Sequence, residues 1–93
     1  MDCTDIEWDA AKRRGNLAKH GLDFADALDV LEGPCLLLPE RTSGEEYRAM
    51  AIGRLADVHV CLIFTLRGTV LRVISMRKAR RDERHHHDQS FGC

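Results

Sequence analysis

The stretch from Trp8 to Gly21, WDAAKRRGNLAKHG, carries the side chains best suited to chemistry in this chain. At 3.6 residues per turn, Lys12, Asn16, Lys19 and His20 fall within about 100° of arc on one helix face. Two ammonium groups, an amide and an imidazole on one surface can hold a phosphate, and His20 can move a proton near neutral pH. The competing reading is a solvated face, with His20 serving only the negative end of the helix dipole. Arg48, Arg72 and Arg77 add cations on segments with strand patterning. Arg48 also fits the plainer role of a snorkelling edge residue.

No Gly-rich phosphate loop, paired-carboxylate motif, H-E-x-x-H or G-x-S-x-G occurs. The acids fall mostly in a second helical segment and a loop, so a two-metal nuclease lacks a coherent ligand set. No cofactor and no metal ligands are assigned. Lys, Arg and His instead suit metal-independent cleavage of RNA. A base takes the 2′-OH proton, the oxygen attacks the adjacent phosphate, and cations stabilise the developing charge. DNA lacks that nucleophile. His20 is the acid/base candidate, because histidine is the side chain type that changes charge near neutral pH, and Lys12, Arg48 and Arg77 are candidate phosphate clamps.

These side chains need elements to position them. Asp9 can cap a helix running to His20, because its carboxylate accepts from otherwise orphaned backbone N–H groups. Gly21 can end the helix in the left-handed conformation. Trp8, Ala11, Gly15, Ala18 and Leu22 give the helix a small-residue face, with Leu17 beside it. Ile6 and Trp8 suggest a short strand ahead of it. Asp23 caps a second helix whose Phe24, Ala27, Leu28 and Leu31 follow the spacing of a buried stripe, with Phe24 and Leu31 as core. Gly33-Pro34 stops it.

Strand patterns follow. Cys35 to Leu38 is a short apolar run, Pro39 to Glu46 reads as a polar loop, and Tyr47 to Ile52 alternates up to Gly53. Val58 to Leu66 is the strongest strand, with Val58, Val60, Leu62, Phe64 and Leu66 on its core face. Arg67-Gly68 is a hairpin turn returning Val70 to Met76 as a fourth strand. Ideal alternation puts Arg72 and Arg77 on opposite faces, so both serve one site only if a bulge or twist intervenes. The basic tract after Met76 begins a short helix or turn. His85, His86 and His87 read as a surface tail with incidental metal affinity, because adjacent positions do not all face one way.

The expected architecture is α+β: two N-terminal helices packed on a roughly four-stranded antiparallel sheet, then a short C-terminal helix. Ninety-three residues suit a single domain over 1–93, with 84–93 as a flexible tail. No apolar run reaches the roughly 20 residues of a membrane span and no signal-peptide pattern opens the chain, so a cytoplasmic location is the default. The four cysteines form no C-x-x-C pair. They read as free thiols, with Cys35 and Cys61 as small buried hydrophobes and Cys3 and Cys93 on loose ends. Net charge is −1, yet residues 1–32 hold eight acids and four bases while residues 67–93 hold seven bases and three acids. That asymmetry points to a polyanion or an acidic partner.

The runs WDAAKRRGNLAKHGLDFADAL, RAMAIG and VISMRKARRDER resemble the BrnT toxins of bacterial type II toxin–antitoxin systems. The resemblance spans roughly Ile6 to Arg84, through W-D-x-x-K, N-x-x-K-H-G, R-x-x-x-I-G and I-S-x-R. It implies a RelE-like fold, ribonuclease activity that suppresses translation and growth, and neutralisation by a BrnA-like antitoxin. Operator DNA would be bound only through the antitoxin, and a dimer within the complex stays open. Carried over by residue, the family's polar positions fall on Lys12, Asn16, Lys19, His20, Arg48, Arg77, Arg80, Arg81 and Glu83. On that basis His20, Arg48 and Arg77 are the expected catalytic residues. Lys12, Asn16, Lys19, Arg80 and Arg81 are the expected substrate-binding residues. The alternative is a non-catalytic module that acts only in antitoxin binding and promoter autoregulation.

Overall fold

The computed structural model describes residues 5–43 and 46–91, for 41–43 and 46 the backbone only. Cys3 and Cys93 therefore lie outside the described residues. The elements are β1 (Asp5–Trp8), α1 (Ala10–His20), a 3-10 turn (Phe24–Asp26), α2 (Ala27–Glu32), β2 (Leu36–Ser43), β3 (Glu46–Leu55), β4 (Val58–Arg67), β5 (Val70–Lys78) and α3 (Arg81–Phe91). The five strands form one sheet in the order β1-β5-β4-β3-β2.

The sheet is mixed, with five strands rather than four antiparallel ones. β1 runs parallel to β5, while the remaining pairs are antiparallel. The return from β1 to a parallel neighbour needs a crossover, which the helices and the hairpin strands supply. Ile6 and Trp8 pack against the core while Asp5 and Glu7 are exposed, as expected of an edge strand with one buried face.

Asp9 caps α1 by accepting from the Lys12 N–H at 2.9 Å, and Gly21 closes it at φ 69° with its N–H donating to the Leu17 carbonyl. The small-residue face does not pack. Ala11, Gly15 and Ala18 are exposed, as is Leu17, and α1 contains no buried residue. Polar ties hold it instead. Arg13 makes a two-pronged ion pair with Asp23 at 2.7 and 3.0 Å, and its guanidinium lies 5.5 Å from the Trp8 ring centre.

The core lies between the sheet and the segment from Leu22 to Val30. Phe24, Ala27 and Val30 are fully buried against Val60, Leu62, Phe64, Leu71 and Met76, with Leu31 at the margin. Gly53 does not end β3, which runs on to Leu55. A Cβ there would sit 2.9 Å from Val30 Cγ1 and 3.0 Å from the Val30 carbonyl, so its lack of a side chain lets α2 approach. Most of the expected loop 39–46 is strand, since β2 reaches Ser43 and pairs with β3 around a bulge between Pro39 and Arg41.

The β3–β4 and β4–β5 turns have two residues each. Arg67 pairs with Val70, so the second turn is Gly68-Thr69, one position later than expected, with Gly68 at φ 59°. The β3–β4 turn places Ala56 at φ 55°, a left-handed conformation in which Cβ is disfavoured. The segment read as a tail from 84 is helical to Phe91, and His87 is fully buried.

Candidate functional site

Residues paired in register on neighbouring strands project to the same side of a sheet. Thr65 of β4 pairs with Arg48 of β3 and with Arg72 of β5, and Arg72 pairs in turn with Glu7 of β1. Two and four residues earlier on β4, Ile63 pairs with Met50 and Ser75, and Cys61 with Ile52 and Arg77. The β4–β5 register steps from Ile63–Ser75 to Phe64–Val73, leaving Ile74 as an extra residue. That bulge reverses the alternation, so Arg72 and Arg77 share one face. Arg48, Arg72 and Arg77 therefore all lie on the side away from the main core.

Arg77 is the most enclosed of the three. Its two Nη atoms donate to the two Glu83 carboxylate oxygens at 2.7 and 2.9 Å, and Nη1 also donates to the Lys78 carbonyl at 3.4 Å. Glu83, at the start of α3, also accepts from the Arg80 N–H at 2.7 Å. The side chains of Arg77 and Glu83 are 20% and 11% exposed. The guanidinium hydrogen bond holds the Glu83 carboxyl below its ordinary range and raises the Arg77 pKa in return. The neighbouring Cys61 thiol is pushed up to about 11, chiefly by burial, with Arg77 pulling the other way. Of the five guanidinium donors, the Nε–H and one Nη2–H of Arg77 have no protein acceptor among the described residues.

The other two arginines are more open. Arg48 Nε donates to Glu40 at 3.1 Å, where Glu40 is the bulged residue of β2, and Arg72 Nη1 donates to Glu7 at 3.3 Å. Exposed pairs of this kind contribute little and exchange readily for a phosphate. Glu7, Thr65, Arg67, Val70 and Arg72 line a cavity of about 310 Å³ at this end of the sheet.

The helix residues divide. Asn16 Oδ1 accepts from the Met76 N–H at 3.2 Å, and Asn16 Nδ2 donates to the Leu22 carbonyl at 3.1 Å. β1 pairs with β5 only as far as Val73, so Met76 lies beyond that partner, and the Asn16 amide satisfies its N–H. Asn16 thus ties α1 to β5 one residue before Arg77. Lys12 and Lys19 are exposed and His20 is half-buried. Among the described residues, none of these three side chains makes a hydrogen bond or an ion pair. Arg80 and Arg81 are exposed at the entry to α3.

A cluster that the sequence reading does not find lies on the same face as Arg77. His59 Nε2 is 2.8 Å from Asp88 Oδ1, His87 Nδ1 is 3.4 Å from the same oxygen, and His87 Nε2 is 3.0 Å from the Pro34 carbonyl. The His59 and His87 rings meet edge to face at 5.2 Å. The His59 hydrogen bond, joined by His87, holds Asp88 below its ordinary range against a desolvation effect that opposes it. His59, Arg81, Asp82, Arg84, His85 and Asp88 line a cavity of about 740 Å³. The only local signal was His59 alternating with Cys61 on the second face of β4. The rest depends on α3 folding back.

No helix among the described residues is long and apolar enough to cross a membrane. No curated protein and no solved structure gives a significant match to this chain. A family model does match, over residues 8–83, and its description is the BrnT ribonuclease toxin of type II toxin–antitoxin systems. The matched span contains α1, the whole sheet apart from the first residues of β1, and the Arg77–Glu83 pair. The chain therefore belongs to the BrnT family of ribonuclease toxins.

Proposed function

We propose that this toxin cleaves RNA without a metal ion, by attack of a 2′-hydroxyl on the adjacent phosphate. The observation that carries the reading is the β5 bulge at Ile74, which gathers Arg48, Arg72 and Arg77 on one sheet face. Arg77, held by Glu83, presents its remaining donors in a fixed direction, and fixed donors stabilise developing charge without reorganising. Arg48 binds the flanking phosphates. Proton transfer is assigned to His20, half-buried at the end of α1, the helix that Asn16 ties to the Met76 N–H. Lys12, Lys19, Arg80 and Arg81 supply further phosphate contacts. Asn16 positions α1 rather than holding substrate, because its amide is engaged with Met76 and Leu22.

The RelE-like reading of the fold belongs to this proposal and is supported by the helices packed on the sheet. The partner is a BrnA-like antitoxin of acidic character, drawn to the basic segment from Arg77 to Arg84, and the pair is read as cytoplasmic.

The mechanism is tested with matched oligonucleotides. RNA should be cut, and the same sequence with 2′-O-methyl at the cleavage position should be inert there. Cleavage of the blocked strand at that position would mean that water is the nucleophile. Antitoxin binding with no cleavage of any RNA would favour the non-catalytic module. Arg77's tight ion pair is compatible with that second reading, as a purely structural lock.

A further inference from the structure

The cluster of His59, His87 and Asp88 sits outside the machinery described above, and two of its members lie beyond the matched family span. Its hydrogen bonding poses a specific question. The Pro34 carbonyl can only accept, so His87 Nε2, 3.0 Å away, must carry a hydrogen. In a neutral imidazole that leaves a lone pair on Nδ1. This lone pair faces Asp88 Oδ1, itself an acceptor, at 3.4 Å, and His87 is fully buried. Two acceptors facing each other, the His87 one fully buried and the Asp88 one at the edge of a cavity, call for a cation or a proton between them. His59 Nε2 faces the same carboxylate oxygen from the other side, at 2.8 Å.

We propose that His59 Nε2, His87 Nδ1 and Asp88 Oδ1 bind a divalent ion of the zinc type, which clamps α3 to the sheet. Two imidazoles and a carboxylate are a borderline donor set that such ions accept. The three ligand atoms lie within 4.8 Å of one another. Tetrahedral coordination with bonds of about 2.0–2.1 Å places donors about 3.3 Å apart, so the widest pair must close by about 1.5 Å, through side-chain rotation, when the ion enters. The Pro34 carbonyl supplies the outer partner that metal-binding histidines usually have, fixing the His87 tautomer and ring direction. On binding, the His59 proton moves to Nδ1, freeing Nε2. The fourth position opens on the cavity lined by Arg81, Asp82, Arg84 and His85, where water completes the shell.

The clamp is structural. It joins the start of β4, the approach to β2 and the last turns of α3, and it does not depend on how RNA is cut. The competing occupant is a proton on His87 Nδ1, giving a buried imidazolium paired with Asp88.

The test uses the metal-stripped, reduced full chain, titrated with Zn²⁺ against a chromophoric chelator and with Co²⁺ by absorption. The expected result is one equivalent bound and intense visible Co²⁺ bands without a thiolate charge-transfer band. Affinity should fall about 100-fold in Asp88→Asn and in His59→Ala, and should persist in a His85→Ala/His86→Ala double variant. Zn²⁺ should also raise the thermal midpoint of the wild type but not of Asp88→Asn. The proposal is overturned by the absence of stoichiometric binding, which leaves the proton as occupant. It is also overturned by a thiolate band, which assigns binding to cysteines. Loss of binding in the double variant, with Asp88→Asn unaffected, would reduce it to chelation by exposed histidines. If Asp88→Asn fails to fold, the wild-type Co²⁺ spectrum and His59→Ala still decide.

Discussion

Arg72 and Arg77 point to the same side of the sheet although their positions differ by an odd number, because Ile74 is an extra residue opposite the Ile63–Phe64 step of β4. A one-residue change of parity moves a side chain to the other face of a sheet. Deleting Ile74 should therefore restore regular alternation and turn either the Arg77 or the Arg72 end of β5 over. RNA cleavage should be lost even if the chain still folds. Secondary structure by circular dichroism, read beside cleavage, checks this.

Arg77→Ala should lower RNA cleavage by about 10²–10³-fold, the size expected for losing one fixed donor to the developing charge. It should also destabilise the fold by about 1–3 kcal/mol, since Glu83 is left enclosed without its guanidinium. Glu83→Gln keeps the shape and removes the charge, so it should cost less stability. Urea unfolding of both variants separates the two effects.

Acid should loosen the carboxylate ties. Asp23 is lowered to about 2 by the Arg13 hydrogen bond, and Glu83 and Asp88 are lowered by Arg77 and His59 respectively. A depressed folded-state pKa means the unfolded chain binds protons first as pH falls. The stabilisation is complete above the ordinary values of 3.8 and 4.5 and is lost as pH drops through the depressed ones. Urea midpoints should thus hold steady near neutral pH and decline below about pH 4.5. Glu83→Gln should show a shallower decline.

Gly53→Ala should destabilise by about 1–3 kcal/mol, because the new methyl meets Val30 Cγ1 at 2.9 Å and the Val30 backbone at 3.0 Å. Ala56→Gly should act in the opposite direction, by about 0.5–1 kcal/mol, by relieving the left-handed backbone at φ 55°. Thermal melts of the pair give opposite signs.

Asn16→Ala should cost about 1–3 kcal/mol by leaving the Met76 N–H without an acceptor. It should also weaken cleavage, since α1 then loses its tie beside Arg77. Asn16→Asp retains the acceptor for Met76 but sets an oxygen against the Leu22 carbonyl in place of the Nδ2 donor, so it should recover only part of the stability.

Local features were legible in the sequence. The Asp9 and Gly21 caps, the Phe24 stripe, the core face of β4 and the hairpin into β5 each depend on residues within a few positions of one another. The parallel pairing of β1 with β5 was not, because a strand of four residues takes its partner from tertiary packing rather than from its own pattern. The exposed small-residue face of α1 shows that a spacing can fit a packed helix while Arg13, Asn16 and Asp23 do the anchoring. The His59–Asp88 contact joins positions 29 apart, and no local periodicity signals it. Ideal alternation puts Arg72 and Arg77 on opposite faces unless a bulge intervenes, and the bulge itself is a register property visible only in the paired strands.

The most direct measurement is cleavage of end-labelled RNA by the purified chain in EDTA, beside folded His20→Ala and Arg77→Ala variants. The account predicts that the wild type leaves products ending in a cyclic phosphate and that both variants lose them. Equal cleavage by all three proteins, or cleavage that EDTA abolishes while the chain stays folded, would contradict it.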